Sequence, residues 1–159
     1  HLMLLDLGRN DVGRVSKIGT INVKNPFSIQ ETSNLIHIVS TVEGDLKDDE
    51  DQISSLSAGF PAGTVSGAPK IRAMEIIDEL EKEKRGIYAG AIGYFSANGD
   101  IDTAIALRTA IIKDKIMYVQ AGGGVVYDSN EEYEYNETVN KSQALFTAAK
   151  DALKNNSKE

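Results

Sequence analysis

The sequence predicts an α+β fold in which antiparallel β-sheets are flanked by helices. Apolar residues recur at helical spacing in some segments and alternate in others, which gives the element order α, β, α, α, β, β, β, α. Two turn signals, Asn98-Gly99 and Lys113-Asp114-Lys115, join the three consecutive strands. Because strands joined by tight turns pair antiparallel, this order favours α+β over a parallel α/β sheet.

Four helices are predicted from apolar spacing and from the residues at their ends. Ser66 is the expected N-cap of the third helix, and Ser129 opens the last one in a capping-box pattern with Glu132. The predicted bounds are 1–15, with an end at Gly8 or Gly13, then 49–56, 67–84 and 129–153. The apolar face of the third helix consists of Ile71, Met74, Ile77 and Leu80.

Four strands are predicted from alternation and β-branched residues. Their predicted bounds are 36–42, 87–96, 101–112 and 116–126. The stretch 19–34 is expected to be irregular, because Pro26 cannot donate a backbone hydrogen bond and interrupts regular structure.

Composition excludes several classes of function. The 159 residues suffice for one domain with its own core, and the net charge of −7 comes without the basic patch of a nucleic-acid binder. The absence of cysteine excludes disulfides, zinc–thiolate sites and thiol nucleophiles. No apolar run is long enough to span a membrane and no signal peptide is visible, so the cytoplasm is the expected location.

The first residues indicate a fragment. The chain begins at His1 without an initiator methionine, inside an apolar run that resembles a helix already under way. We therefore expect the 159 residues to be part of a longer polypeptide.

The last helix presents a candidate metal site. Glu134, Glu137 and Lys141 lie within about 60° of one another on a helical projection. The same stripe continues to Leu145, Ala148 and Ala152, so the acids should face inward, where carboxylates need a cation or a hydrogen-bonding partner. Oxygen ligands suit a hard cation such as Mg²⁺. Acids favoured by the helix dipole, with a simple Glu137–Lys141 pair, are the alternative.

Two further segments are candidate anion-binding groups. Arg108 is predicted on a strand face of small alanines, where a guanidinium could bind a carboxylate, although a salt bridge inside the sandwich explains it equally. Gly122, Gly123 and Gly124 end a strand, and successive glycines can present amide donors to an anion. A glycine-rich bend at a sheet corner is the alternative, and the spacing is not that of a dinucleotide-binding loop.

Three more side chains are candidates with structural alternatives. His37 on the first strand could transfer protons, yet a lone histidine on a strand is more often structural. Tyr88 is either a core residue or a hydroxyl in a pocket. Thr64 precedes a helix whose first turns contain Lys70 and Arg72. Because cations there oppose the helix dipole, either they point away or an anion lies nearby.

Four motifs in order resemble the chorismate-binding enzymes, the family of anthranilate, aminodeoxychorismate, isochorismate and salicylate synthases. The motifs are LDLGRND at 5–11, FPAGTVSGAPK at 60–70, GAIGY at 90–94, and AGGGVV at 121–126 followed by EYNET at 134–138. The resemblance covers nearly the whole chain and implies that it is the C-terminal part of a larger α/β sandwich. Within the family, residues 60–64 and 120–122 are most similar to the anthranilate synthase branch.

The resemblance also implies roles for individual residues. Glu134 and Glu137 match two Mg²⁺ ligands, and Lys141 matches a lysine close to the substrate carboxylates. Thr64 and His37 match residues that line the chorismate ring, with His37 the candidate for assisting pyruvate elimination. The groups that match the surroundings of the enolpyruvyl carboxylate are Tyr88, Arg108, Gly122, Gly123 and Gly124.

The implied reaction converts chorismate and ammonia into anthranilate and pyruvate. Ammonia would come from a glutamine amidotransferase subunit, and Mg²⁺ is the implied cofactor. Aminodeoxychorismate synthase, whose product keeps the enolpyruvyl group, is the alternative. The resemblance implies two further Mg²⁺-binding glutamates before His1, so we expect the 159 residues alone to be inactive. No nucleic-acid or membrane partner is expected, and self-association through sheet edges remains open.

Overall fold

The computed structural model describes residues 1–31 and 36–156. These residues form four α-helices, a single-turn 3₁₀-helix and six strands. The helices are α1 (Leu2–Val15), α2 (Gln52–Gly59), α3 (Lys70–Leu80) and α4 (Glu131–Asn156), and the 3₁₀-helix is Gly63–Val65. The strands are β1 (Asn22–Glu31), β2 (Ile36–Glu43), β3 (Ala91–Phe95), β4 (Ile101–Ile105), β5 (Ala110–Lys113) and β6 (Ile116–Val119).

The α+β class is confirmed. In the described part of the chain the strands form three two-stranded sheets, β1–β2, β3–β4 and β5–β6. The β1–β2 and β5–β6 pairs are antiparallel. The chain divides into two compact units, His1–Lys82 with Gly93–Thr103, and Glu83–Ile92 with Ala104–Glu159.

Helix α1 packs against α2, β2 and the 3₁₀-helix in the first unit. The predicted first helix is confirmed, but it passes through Gly8 and Gly13 and ends at Val15. Helix α2 begins three residues later than predicted, because Asp51 caps it by accepting a hydrogen bond from the Ser54 amide at 2.8 Å.

The prediction of an irregular segment around Pro26 is wrong for residues 22–31. These residues form β1, which pairs with β2 and contains a register shift between Lys24 and Ser28. Asn25 and Phe27 adopt positive φ angles of 47° and 55° on either side of the proline. The bulge therefore absorbs the residue that cannot donate to the ladder. Residues 32–34 of that prediction lie outside the described residues.

Helix α3 is shorter than predicted. It begins at Lys70 rather than near residue 67, and Pro69 occupies the N-cap position without a side-chain hydrogen bond. The predicted cap, Ser66, donates instead to the Ala62 carbonyl at 2.9 Å. Its predicted apolar face is largely uncovered, since Ile71 is 66% exposed and Leu80 is 73% exposed.

For the three strands predicted after residue 87, the turns between them are correct and the strand lengths are wrong. Gly99 takes a φ of +97° in the first turn, and Asp114 and Lys115 take 52° and 63° in the second. The predicted strand 101–112, however, is two strands. Leu107 donates to the Ile105 carbonyl at 2.9 Å, and Arg108 has a φ of 52°, which an extended strand does not allow.

Both units leave much apolar surface uncovered. Ala89 is the one buried apolar residue in the described part of the chain. The total accessible surface is 12263 Å². A 17.2 kDa monomer is expected to expose roughly 7800 Å², and two separate bodies of half that mass roughly 9400 Å². The observed surface exceeds even the value expected for two separate bodies, so the apolar side chains are not enclosed in a core. No helix in the described ranges is long and apolar enough to cross a membrane.

Candidate functional site

The predicted inward stripe of α4 is confirmed for its acidic residues. Glu134, Glu137 and Lys141 are half-buried, whereas most other side chains of this helix are exposed. Leu145 continues the stripe, but Ala149 takes the place predicted for Ala148, and Ala152 is exposed. The acids therefore lie on the covered side of the helix.

Glu134 is held at the beginning of α4. Its Oε1 accepts a hydrogen bond from the Ser129 hydroxyl at 2.8 Å. Ser129 is therefore not the predicted cap, and the α4 cap is Asn130, whose Oδ1 accepts from the Tyr133 amide at 3.1 Å. The hydrogen bond from Ser129 therefore orients the Glu134 carboxylate.

Lys141 connects the helix to the glycine segment. Its Nζ forms an ion pair with Glu137 Oε1 and donates to the Gly122 carbonyl at 3.1 Å. The side chains are 28% exposed for Lys141 and 38% for Glu137. The pair is thus partly screened by solvent and open to an incoming ligand.

The glycines approach two predicted site residues closely. A Cβ on Gly122 would lie 2.9 Å from the Tyr88 hydroxyl, and one on Gly123 would lie 3.3 Å from Glu134 Oε2. Gly124 has open space in front of it. A side chain at position 122 or 123 would therefore displace Tyr88 or Glu134. We name the group formed by Tyr88, the glycines, Glu134, Glu137 and Lys141 the carboxylate cluster; all of it lies in the second unit.

Tyr88 and Arg108 differ from their predicted settings. Tyr88 is half-buried in a turn rather than on a strand, and the Arg85 guanidinium lies 5.7 Å from its ring centroid. Arg108 lies between β4 and β5 with an exposed side chain. Because β4 ends at Ile105 and Arg108 has a φ of 52°, the predicted strand face shared with Ala104, Ala106 and Ala110 does not form.

The two remaining predicted residues belong to the first unit. Thr64 is exposed in the 3₁₀-helix, one residue after the buried Gly63. His37 is exposed on β2 opposite Gln30. No hydrogen bond joins His37 to Thr64 among residues 1–31 and 36–156.

The anion expected near the start of α3 is present. Asp11 Oδ1 pairs with Lys70 Nζ at 3.0 Å, with the side chains 17% and 6% exposed. Arg72 follows the other expectation and points outward to Glu75 and Glu79 at 2.8 and 3.2 Å. The Asp11–Lys70 pair was not found from the sequence, although both residues lie in the motifs at 5–11 and 60–70.

The carboxylate cluster fits part of a divalent-cation site. Glu134 and Glu137 offer oxygen ligands on one covered helix face, which is the donor type that Mg²⁺ takes. Within the described ranges no group of three or more His, Cys, Asp or Glu residues is arranged so that it could hold a metal ion. The two glutamates would therefore supply part of a coordination shell, and a bound cation would replace the Lys141 ammonium as the partner of Glu137.

Comparison with known proteins gives one consistent answer. A family model described as chorismate binding enzyme matches residues 1–147. Anthranilate synthase component 1 of Cereibacter sphaeroides is 65% identical over 96% of the chain, and that of Pseudomonas aeruginosa is 59% identical over 93%. The chain spans 30% of the length of each of these two relatives.

Solved structures agree with the relatives. The crystal structure of anthranilate synthase component I from Streptococcus pneumoniae has a TM-score of 0.83 at 54% identity and covers 90% of the chain. A structure titled putative 2,3-dihydroxybenzoate-specific isochorismate synthase from Bacillus anthracis has a TM-score of 0.80 at 26% identity and covers 94%. The chain covers 33% and 40% of those two proteins. With matching sequence motifs, family model and fold, the chain belongs to the chorismate-binding enzyme family.

Proposed function

We propose that this chain is part of a Mg²⁺-dependent anthranilate synthase, a lyase of tryptophan biosynthesis. The observation that supports it most is 65% identity, over 96% of the chain, to an anthranilate synthase component 1. The isochorismate synthase structure is a more distant relative at 26% identity. Membership of the chorismate-binding enzyme family by itself supports chorismate as the substrate.

The reaction has two steps with a balanced outcome. Ammonia adds to the ring carbon beside the carboxylate-bearing carbon, and the ring hydroxyl leaves as water. Pyruvate is then eliminated and the ring becomes aromatic. Chorismate and ammonia thus give anthranilate, pyruvate and water.

Glu134 and Glu137 would hold the Mg²⁺ ion of the proposed site. When bound, the ion supplies Lewis acidity and orientation for a substrate carboxylate. The hydrogen bond from Ser129 fixes one of the two carboxylates before substrate arrives, so less ordering is needed on binding.

The remaining members of the cluster would bind the substrate's oxygen atoms. Lys141 is already held by the Gly122 carbonyl and offers a cation to a carboxylate. The amides of the glycine segment and the Tyr88 hydroxyl offer hydrogen bonds to the enolpyruvyl end. The family resemblance assigns the ring contacts to Thr64 and His37, and the enolpyruvyl contact of Arg108 rests on that resemblance alone.

Ammonia would be delivered by a glutamine amidotransferase subunit. The relatives are named component 1, which implies a second component, and we infer the same kind of partner for this chain.

Product identification tests the proposal directly. The protein translated from the complete reading frame that contains these 159 residues (the complete protein) is incubated with chorismate, ammonium and MgCl₂. Anthranilate and pyruvate in equal amounts are expected by mass spectrometry. An amino product that keeps the enolpyruvyl group would instead establish the aminodeoxychorismate alternative.

The isolated 159 residues provide the matched comparison. We expect them to form no anthranilate, because so much apolar surface is uncovered and the described residues supply only two of the carboxylates for the metal. Turnover by the isolated chain equal to that of the complete protein would contradict this expectation.

A further inference from the structure

Lys70 is the one buried charged residue in the described part of the chain. Its ammonium group donates to the Gly59 carbonyl at 3.1 Å and to the Pro61 carbonyl, and it pairs with Asp11. The three hydrogens of the ammonium thus have three oxygen partners. The cation is completely used inside the protein and is not available to a ligand.

Asp11 extends this network to the 3₁₀-helix. Its second oxygen accepts a hydrogen bond from the Gly63 amide at 3.1 Å. A Cβ on Gly63 would lie 3.0 Å from the Leu7 Cβ, so α1 packs closely against this residue. The Asp11–Lys70 pair therefore joins α1 to positions 59, 61 and 63 of one short segment.

Thr64 is the next residue and has the opposite exposure. Gly63 is buried and Thr64 is exposed. On the other side of Thr64, the Ser66 hydroxyl donates to the Ala62 carbonyl at 2.9 Å. The backbone around Thr64 is thus fixed from both sides while its side chain remains accessible.

We propose that Asp11 and Lys70 are a positioning pair that places the Thr64 hydroxyl for chorismate. The proposal rests on the function proposed above. Replacing a buried ion pair by apolar groups is often neutral or stabilising, so stability alone is a weak reason for this pair. Its three fixed oxygen partners instead specify one arrangement of the segment that precedes Thr64.

A kinetic double-mutant cycle in the complete protein tests this coupling. Lys70→Met is combined with Thr64→Val, which removes the hydroxyl at similar size. We expect Lys70→Met to lower kcat/KM for chorismate about 100-fold in the wild-type background and less than about threefold in the Thr64→Val background. A purely structural lysine would give the same loss in both backgrounds, and that result would overturn the proposal.

A second variant covers the case in which Lys70→Met fails to fold. Asp11→Asn combined with Lys70→Met removes both charges and leaves no unpaired buried ion. We expect this double variant to fold and to show the same dependence on Thr64. The control is Arg72→Met, two residues along α3, whose side chain is 56% exposed and pairs with Glu75 and Glu79 of the same helix; kcat/KM should stay within about twofold of wild type.

Hydrogen exchange gives a readout that does not depend on turnover. We expect amides at 60–66 to exchange faster in Lys70→Met than in Arg72→Met, because the first variant releases this segment. Equal exchange in the two variants would contradict the positioning role. If the wild-type complete protein forms no anthranilate, the proposed function fails, whereas additive kinetics in an active enzyme overturn the positioning role alone.

Discussion

The two units each contain a lysine–carboxylate pair, and the two pairs differ in what they leave free. Lys70 is 6% exposed and has three oxygen partners, and both oxygens of Asp11 are engaged. Lys141 is 28% exposed, and its Glu137 partner is 38% exposed. The first pair is closed and holds backbone in place, whereas the second is open and can exchange partners. Burial and the number of hydrogen bonds thus distinguish a pair that is fully engaged inside the protein from a pair of the same chemistry that solvent can reach.

Among the variants that test this difference between the two pairs, the largest effect is expected for a substitution of Glu137. In the complete protein, Glu137→Gln should lower Mg²⁺-dependent anthranilate formation at least about 100-fold, because loss of a direct ligand costs no less than loss of an outer partner. The melting temperature should change little, since the pair is partly exposed. Activity measured against MgCl₂ concentration checks this.

Asp11→Asn is the matched variant in the closed pair. It should lower the melting temperature, because it leaves the Lys70 ammonium buried without a charged partner. The MgCl₂ concentration for half-maximal activity should equal that of wild type. If Glu137→Gln keeps the wild-type dependence on MgCl₂, Glu137 is not part of the metal site. The proposed difference between the two lysine–carboxylate pairs would then fail as well.

An intermediate effect is expected from the glycines. A methyl group on Gly123 meets Glu134 Oε2 at 3.3 Å, so Gly123→Ala should shift this carboxylate and raise the KM for chorismate about tenfold. Gly124→Ala meets no atom within 4 Å and should raise it less. Initial rates across chorismate concentrations test both variants, and equal KM values would show that the approach of Gly123 to Glu134 is irrelevant to binding.

The smallest effect is expected at Asp51, a carboxylate that accepts a hydrogen bond from a backbone amide instead of pairing with a lysine. The hydrogen bond from the Ser54 amide lowers the pKa of Asp51 below its ordinary 3.8. Its stabilisation of α2 is therefore complete above that value and is lost as pH falls through the lower folded-state pKa. In a titration from about pH 5 to 2, the Ser54 amide shift should move in wild type and stay flat in Asp51→Asn. A flat wild-type curve would contradict the cap.

Periodic features were predictable from the sequence and conformational exceptions were not. The covered face of α4 follows from helical spacing, so the partial burial of Glu134, Glu137 and Lys141 was predictable. Arg108 lies in an alternating run of small residues, and nothing in that run indicates its positive φ. Pro26 is a breaker in most settings, and only the pairing of β1 with β2 reveals the bulge that accommodates it.

For contacts between residues distant in sequence, the type of partner was predictable but its identity was not. The position of Lys70 in the first turn of a helix left two alternatives, a side chain that points away or a nearby anion, and the second holds. Helix periodicity could not identify Asp11 as that anion, because the two residues are far apart in sequence and meet only through packing of α1. The same limit applies to Ser129, whose hydroxyl binds Glu134 and was assigned to a cap.

Because their apolar faces are uncovered, the isolated 159 residues are expected to self-associate. Side chains such as Ile71 and Leu80 would be driven into contact with other copies as concentration rises. We expect light scattering by the isolated 159 residues to increase with concentration and temperature before any cooperative melting is seen. Melting curves of the isolated 159 residues would then report particle growth rather than cooperative unfolding.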